Sequence, residues 1–500
     1  MTCPLGHLLP ELANHAKANQ RFSCLTEDSR AVEPGCLYLA RAGAGGKGLH
    51  YLTSALKQGP AVVIADRGEY QRFSHSEPVL AAEAAQQLTT QNCELILVDA
   101  LEVKRAAIAA AFYGKPAERL TLIGITGTNG KTSCASFIAQ ALGHLGKQAA
   151  VIGTLGNGPL ANLTPSQNTT PGPLELHALF AEYVQQGITH VVMEVSSHAL
   201  DQGRVDGLYF EVAAFTNLTH DHLDYHGTME AYANAKAQLF AVERCHRAVI
   251  NCLDHWGLAI FEQTAQSKLG IGPDIQIEVL VANGLAGSEC KLTMGSETFT
   301  FSTQQLGEFV LDNLAICAGV LKQLGVSVAA ISETLGEVTS VAGRMERIDL
   351  ANGAVGIVDY AHTPDALEKL LHSAQQLKPE SLICVFGCGG DRDRQKRAVM
   401  GDIASRFADT VLITSDNPRG ESPQAIIDDI FAGVAAEHQQ KCQQVVDRKQ
   451  AIEQAVAMSQ PGDLVVVAGK GHEDYQEVNG QRFPFSDQDT LRAGQQEQEV

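Results

Sequence analysis

The chain is short of positive charge. Lys and Arg number 37 against 57 Asp and Glu, a formal net charge of −20 over 500 residues. So acidic a surface disfavours a broad grip on a nucleic-acid backbone or on anionic lipid, while leaving room for local basic pockets that hold small anions. No stretch approaches the roughly 18 to 20 consecutive apolar residues that a bilayer span needs. The opening Met-Thr-Cys-Pro-Leu-Gly-His-Leu-Leu-Pro has no basic segment ahead of an apolar one. A protein without export signal or membrane insertion is expected, working in the cytoplasm. The twelve cysteines include no Cys-x-x-Cys, and their tightest spacings are Cys384-x3-Cys388 and Cys245-x6-Cys252. Such scatter argues against a disulfide framework and against zinc, and is expected of thiols in a reducing compartment. Internal repeats and low-complexity tracts are also missing.

What is present is ordinary globular material, 45% hydrophobic and 19% charged, which excludes wholesale disorder. At roughly 150 residues per domain the length predicts about three domains, since single cores stop growing near about 250–300 residues. The patterning places them at 1–100, 101–338 and 339–500. The first segment has strand runs at 36–40, 61–66 and 93–100 around a Gly-rich basic loop at 41–50, then a helix over 103–112. The second alternates strands (120–125, 149–152, 190–194) with helices, the signature of a parallel α/β sheet. It closes with alternating polar and apolar residues over 274–303, read as antiparallel edge strands, and a helix around 313–324. The third has strands at 355–359, 382–386, 411–414 and 464–467 separated by helical segments. The fold class is therefore α/β, with a parallel sheet in each of the last two segments.

The strand Leu122–Thr126 runs into Gly127-Thr128-Asn129-Gly130-Lys131-Thr132-Ser133, followed by an amphipathic helix. Strand, glycine loop, Lys-Thr and helix are the parts of a triphosphate site: backbone N–H groups and the helix N-terminus cradle phosphate oxygens, Lys131 reaches the β- and γ-phosphates, and the Thr132 hydroxyl suits Mg²⁺. The strict pattern asks for glycine where Ile125 stands, so this is a variant loop. Glu194, at the end of the apolar run His190–Glu194, is placed for Mg²⁺ or as a buried cap of the next helix. Thr219-His220-Asp221-His222-Leu223-Asp224-Tyr225-His226 is dense in ligand types but lacks a zinc spacing, and solvated or hydrogen-bonded histidines are the plainer reading. Lys236, read alone, is a helix-surface lysine.

In the third segment, charged loops follow three apolar strands: Gly387–Arg394, Ser415–Glu421 and Ala468–Asp474. Strand ends in an open parallel sheet line one crevice. Arg392 and Arg419 stand against Asp416 and Glu473, the two signs of charge that a zwitterion such as an amino acid requires. Surface salt bridges at loop tips, or a phosphate held by Gly389-Gly390, are the alternatives.

TGTNGKT (126–132), NTTPG (168–172), MEVSSHAL (193–200), TNLTHDHLDYHG (216–227), YANAK (232–236), GRMERI (343–348), VDYAHTPDALE (358–368), FGCGGDRDR (386–394), SDNPRGE (415–421) and AGKGHEDYQ (468–476) together resemble the Mur ligases, in order through the second and third segments. The resemblance implies three domains: one that binds the uridine nucleotide, a central P-loop ATPase-type domain, and a Rossmann-like C-terminal domain that binds the amino acid. It implies ATP-dependent amide formation in peptidoglycan synthesis through an acyl phosphate. Its implied partners are UDP-N-acetylmuramoyl-L-Ala-D-Glu, meso-diaminopimelate and ATP, and the chain is expected to be a monomer. By position, Thr126, Gly127, Thr128, Asn129, Gly130, Lys131, Thr132, Ser133, Asn313 and Arg344 match the nucleotide contacts. Ser29, Ala44, Gly45, Gly46, Asn168, Thr169, Thr170, Ser196, Gln202 and Arg204 match those to the UDP-sugar-peptide. Arg392, Asp416, Asn417, Pro418, Arg419, Gly469 and Glu473 match the diaminopimelate pocket. Thr132, Glu194, His222 and Lys236 match the Mg²⁺-associated positions, Lys236 as a lysine carrying a CO₂-derived carbamate; Lys131, His222 and Lys236 are the catalytic set. Asp416-Asn417-Pro418-Arg419 is similar to the diaminopimelate-type loop rather than the lysine-type one. A dipeptide-adding sister ligase and a folylpolyglutamate-type ligase share the loop and domain order but not that motif. A nucleotide-sensing protein without ligase chemistry would be expected to have lost Thr132, Glu194 or Lys236.

Overall fold

The computed structural model describes residues 3–41, 43 and 47–493. They form two compact units. One comprises the chain to Asn129 with Gly146–Ala248 and Ala259–Lys268; the other comprises Gly130–Leu145, Val249–Leu258 and the chain from Leu269.

In the first unit, β1 (Leu25–Thr26), β2 (Leu37–Ala40), β3 (Val62–Asp66) and β4 (Glu94–Val98) form a parallel sheet in sequential order. Successive strand residues point to opposite faces. Leu37, Leu39, Val62 and Ile64 therefore join one core with Leu101, Ile108 and Phe112, while Tyr38, Ala40, Val63 and Ala65 join another with Leu52, Leu56 and Phe73. Burial on both faces explains why these strands read as continuous apolar runs. One expectation about the thiols fails here. Cys24 and Cys36 immediately precede the paired Leu25 and Leu37, and they form a disulfide with Cα atoms 4.6 Å apart. The other ten cysteines are thiols. Scattered spacing could not show the pair, because only the register of two parallel strands closes the gap of 12 residues.

The same unit carries β5 (Thr121–Thr126), β6 (Ala149–Gly153), β7 (Gly156–Gly158), β8 (His190–Glu194) and β9 (Phe210–Phe215). β5 lies between β8 and β9, all parallel; β6 continues beyond β8, and β7 closes the edge antiparallel. The chain passes into the second unit along β10 (Cys245–Asn251) and again along β11 (Ser267–Ile271).

In the second unit, β12 (Ile275–Ala282), β13 (Ser288–Met294) and β14 (Glu297–Thr303) make the expected antiparallel meander. Further on come β15 (Glu346–Asp349), β16 (Val355–Asp359), β17 (Leu382–Phe386), β18 (Thr410–Thr414), β19 (Cys442–Val445) and β20 (Leu464–Ala468). Their order is β15-β16-β20-β17-β18-β19, parallel apart from β15. Phe386 is level with Ala468 and with Ile413, and Asp359 with Ala468, so four carboxyl ends finish side by side. A short hairpin, β21 (Tyr475–Val478) and β22 (Gln481–Pro484), follows.

The strands and helices anticipated from patterning are present within a few residues; the helix expected at 313–324 starts earlier, at Glu308. Patterning passed over β1, β9 and β19, among others. No helix among the described residues is long and apolar enough to cross a membrane.

Candidate active site

The phosphate loop leaves β5 at Thr126, which is fully buried. Its first half is braced from the segment after β9. Asn129 N–H donates to Asn217 Oδ1 at 3.0 Å, Thr216 Oγ1 donates to the Asn129 carbonyl at 2.6 Å, and Thr219 N–H donates to Thr128 Oγ1 at 3.0 Å. Its second half opens the helix Lys131–His144. Gly130 has φ +84°, and a Cβ there would strike Asn313 Oδ1. Only glycine satisfies both demands. Asn313 is buried on the helix Glu308–Gln323, and Cys134 Sγ donates to its Oδ1 at 3.4 Å. Ser133 is on the first turn of the loop helix. Arg344 lies over the Tyr360 ring, 4.9 Å from its centroid.

Lys236 is not on a helix surface. It is 1% exposed, on the inward face of the helix Met229–Ala237 with Tyr232, Ala233 and Ala235. Its Nζ donates to the Gly127 carbonyl at 2.8 Å and sits 4.4 Å above the Tyr232 ring. Helical periodicity missed it because a burial of this kind depends on the loop that covers it. Tyr232 Oη in turn is 3.2 Å from Thr128 Oγ1.

Glu194 ends β8 and is 2% exposed. Its Oε1 accepts from Thr154 N–H at 2.8 Å and its Oε2 from Thr154 Oγ1 at 3.2 Å. Thr169 Oγ1 is 3.2 Å from Thr154 Oγ1. Thr170 Oγ1 donates to the Glu194 carbonyl at 2.9 Å and accepts from Ser196 N–H at 3.0 Å. Ser196 caps the helix Ser197–Asp201. Arg204 donates to the Thr170 carbonyl at 2.9 Å and, from Nη2, to Gln202 Oε1 at 2.7 Å. This chain of contacts gathers Thr169, Thr170, Ser196, Gln202 and Arg204 around the end of β8. Asn168 is exposed, and Ser29 is half-buried in the turn after β1. Ala44, Gly45 and Gly46 lie outside the described residues.

The histidine-rich segment packs as rings. His198 has its centroid 5.0 Å from His222, 4.2 Å from Tyr225 and 5.5 Å from His226, while His226 stacks on Tyr232 at 5.0 Å. Burial, then the charges of His222 and His226, pushes His198 below the ordinary imidazole range. His222 has φ +52° and opens the short helix Leu223–His226. Among the described residues no group of three or more His, Cys, Asp and Glu side chains is gathered to hold a metal.

The level carboxyl ends of β16, β17, β18 and β20 surround a cavity of about 660 Å³. Arg392, Asp416, Asn417, Arg419, Gly469 and Glu473 line it; Pro418 does not. The loops press together: a Cβ on Gly390 would meet the Pro418 carbonyl. They are held from behind by the buried Arg397, whose Nη2 and Nη1 donate to Glu421 at 2.7 and 3.0 Å, while Asp391 N–H donates to Glu421 at 2.6 Å. Arg397 holds the Glu421 carboxyl down at about 2. Arg419 has φ +50°; its Nη1 donates to the Gly390 carbonyl at 2.9 Å and its Nε is 3.6 Å from Glu477 Oε2. Tyr360, His362 and Lys396 also line the cavity, and strand-end reasoning had not singled them out. Opposite charge signs inside one cavity can orient a zwitterion, the guanidinium taking a carboxylate and the acids taking an ammonium.

Residues 125–321 match the Mur ligase middle domain, and residues 343–471 match the Mur ligase glutamate ligase domain. A Pseudomonas aeruginosa protein named UDP-N-acetylmuramoyl-L-alanyl-D-glutamate–2,6-diaminopimelate ligase is 43% identical over 492 residues, which is 97% of each chain. The chain belongs to the Mur ligase family. A Mur ligase of the same name from Xylella fastidiosa is 41% identical over 493 residues, 97% of this chain and 95% of that protein. A solved structure of a ligase bearing that name superposes with a TM-score of 0.72 at 33% identity, covering 100% of both chains. The matched middle domain holds the phosphate loop, Glu194, His222, Lys236 and Asn313, and the matched C-terminal domain holds every cavity residue named above except Glu473, which falls just past its end.

Proposed function

We propose that this chain joins meso-2,6-diaminopimelate to the D-glutamyl carboxylate of UDP-N-acetylmuramoyl-L-Ala-D-Glu, consuming ATP and releasing ADP and phosphate, as a cytoplasmic monomer in peptidoglycan precursor synthesis. The observation that carries the reading is the two-signed cavity at the ends of β17, β18 and β20, on a chain that retains the phosphate loop. Modules at 1–100, 101–338 and 339–500 are supported by the sheets, since every strand from β1 to β20 falls inside one of those segments.

Lys131 is assigned the charge that develops on the transferred phosphoryl group, and backbone N–H groups of Gly127–Thr132 the phosphate oxygens. Asn313 and Arg344 complete the nucleotide contacts. Thr170, Ser196, Gln202 and Arg204 are assigned to the sugar-peptide, together with Asn168, Thr169 and Ser29. Thr132, Glu194, His222 and a carbamate on Lys236 would hold Mg²⁺. Hydroxyl, carboxylate and carbamate oxygens are the hard donors this ion prefers, and the buried amine beside the Gly127 carbonyl already stands at the loop. Magnesium, when bound, neutralises charge on the phosphate oxygens. The neutral Lys236 amine takes up CO₂ and loses a proton to give the carbamate. The D-glutamyl carboxylate takes the γ-phosphoryl group, giving an acyl phosphate and ADP. The diaminopimelate amine then attacks the acyl carbon, phosphate leaves, and the amine gives up a proton. Arg419 is assigned the second carboxylate of diaminopimelate, which lysine lacks, so lysine forgoes that charge-assisted pair.

The test is ADP release by the purified chain. Release that requires UDP-N-acetylmuramoyl-L-Ala-D-Glu and diaminopimelate together is expected. Release with lysine or a D-alanyl dipeptide in its place, and none with diaminopimelate, overturns the reading.

A further inference from the structure

Lys470 lies between Ala468, the last residue of β20, and the cavity acid Glu473, and it is completely buried. It does not line the cavity. Gly469 at φ +117° and Gly471 at φ +52° flank it, so the chain turns on both sides and the lysine side chain runs beneath the loop. There Nζ donates to Asn417 Oδ1 at 3.1 Å and to Glu473 Oε2 at 3.0 Å. Asn417 Oδ1 also accepts from Glu477 N–H at 2.8 Å, and Asn417 Nδ2 donates to the same Glu473 Oε2 at 2.7 Å.

The ammonium of Lys470 can only donate, so the carboxamide oxygen of Asn417 must face it and the amide nitrogen must face Glu473. Both bonds to Glu473 fall on Oε2. That fixes the carboxylate with Oε1 as the oxygen left to accept from a group inside the cavity. A fully buried ammonium is stable only when paired and hydrogen-bonded, and this one has both partners in the pocket wall.

We propose that Lys470 is a positioning residue for the amino-acid substrate: it sets the orientation of Asn417 and of Glu473, so that Glu473 Oε1 receives an ammonium of the incoming amino acid. This deepens, and rests on, the reading of the cavity as the diaminopimelate site. Lys470 acts through Glu473 and touches no substrate.

The experiment is steady-state kinetics of the full chain as wild type, Lys470→Met, Glu473→Gln and the double variant, varying each substrate in turn. K470M is expected to raise KM for diaminopimelate by about tenfold or more, the loss expected when a buried charged hydrogen-bond partner is removed. KM for ATP and for the uridine substrate should stay within about twofold, because an interaction confined to one substrate moves only that constant. In the E473Q background, adding K470M should bring no further rise. If K470M alone does not fold, the double variant, which removes both charges of the pair, carries the comparison with E473Q. A diaminopimelate KM unchanged in K470M, an equal further rise in the double variant, or a joint rise of all three KM values overturns the proposal alone. A wild type whose ADP release ignores diaminopimelate overturns the reading of the cavity, and the proposal with it.

Discussion

Arg419 shows how much a single side chain is asked to do. It stands in left-handed backbone, φ +50°, with Nη1 on the Gly390 carbonyl and Nε facing Glu477, and its remaining donors are available to the cavity it lines. A bidentate guanidinium–carboxylate pair is directional as well as strong. Arg419→Ala is expected to lower kcat/KM for diaminopimelate by about 100-fold, the loss of two charge-assisted hydrogen bonds, while KM for ATP holds. Competition between diaminopimelate and lysine measures it; unchanged discrimination between the two removes Arg419 from the specificity role. Lys236 carries a different lesson. The same residue is a bland surface lysine by periodicity and a buried amine in three dimensions, because the Gly127 carbonyl and the Tyr232 ring that enclose it are 109 and four residues away in the chain.

Among the elements, the ends of β18 and β20 depend on a helix behind them. Arg448 opens the helix Arg448–Met458 and forms an ion pair with Asp487 at 2.7 Å, both side chains fully buried. Its Nη2 also donates to the Ala468 carbonyl at 2.9 Å and its Nη1 to the Ser415 carbonyl at 3.4 Å, one residue ahead of Gly469 and Asp416. Asp487→Ala leaves that guanidinium uncompensated in the interior. The expected cost is about 3–5 kcal/mol of stability, read as a lower urea midpoint of the C-terminal domain, with a raised diaminopimelate KM in the fraction that folds. An unfolding free energy within about 0.5 kcal/mol of wild type, the range of an ordinary surface change, contradicts the bracing role.

For the whole molecule, acid stability is the accessible property. His177, on the helix Pro173–Gln185, is 3% exposed, and burial pushes it down to about 4. An unfolded histidine titrates near 6.5. Between those values the unfolded chain binds a proton that the folded chain refuses, so the stability present above pH 6.5 is lost as the pH falls toward 4. From pH 7 to pH 5 this group accounts for a loss of about 2 kcal/mol. His177→Gln should remove that part of the pH dependence. Urea unfolding of both proteins at the two pH values gives the difference, and parallel losses in both exclude His177 as the source.

The sequence by itself determined the α/β class, most of the strands, the phosphate loop and the three charged loops, because these are local: apolar runs bounded by glycine, and loop chemistry written in consecutive residues. It determined the family through ten motifs in order. Only the tertiary structure decided the rest. The level carboxyl ends of β16, β17, β18 and β20 follow from placing β20, the last of its sheet in chain order, between β16 and β17, and no local signal carries strand order. The Cys24–Cys36 disulfide, the burial of Lys236 and the hold of Lys470 on Asn417 and Glu473 all depend on which segments cover which. Burial and pairing at these sites arise from contacts between residues distant in the chain, and such contacts exist only once the strands have taken their register.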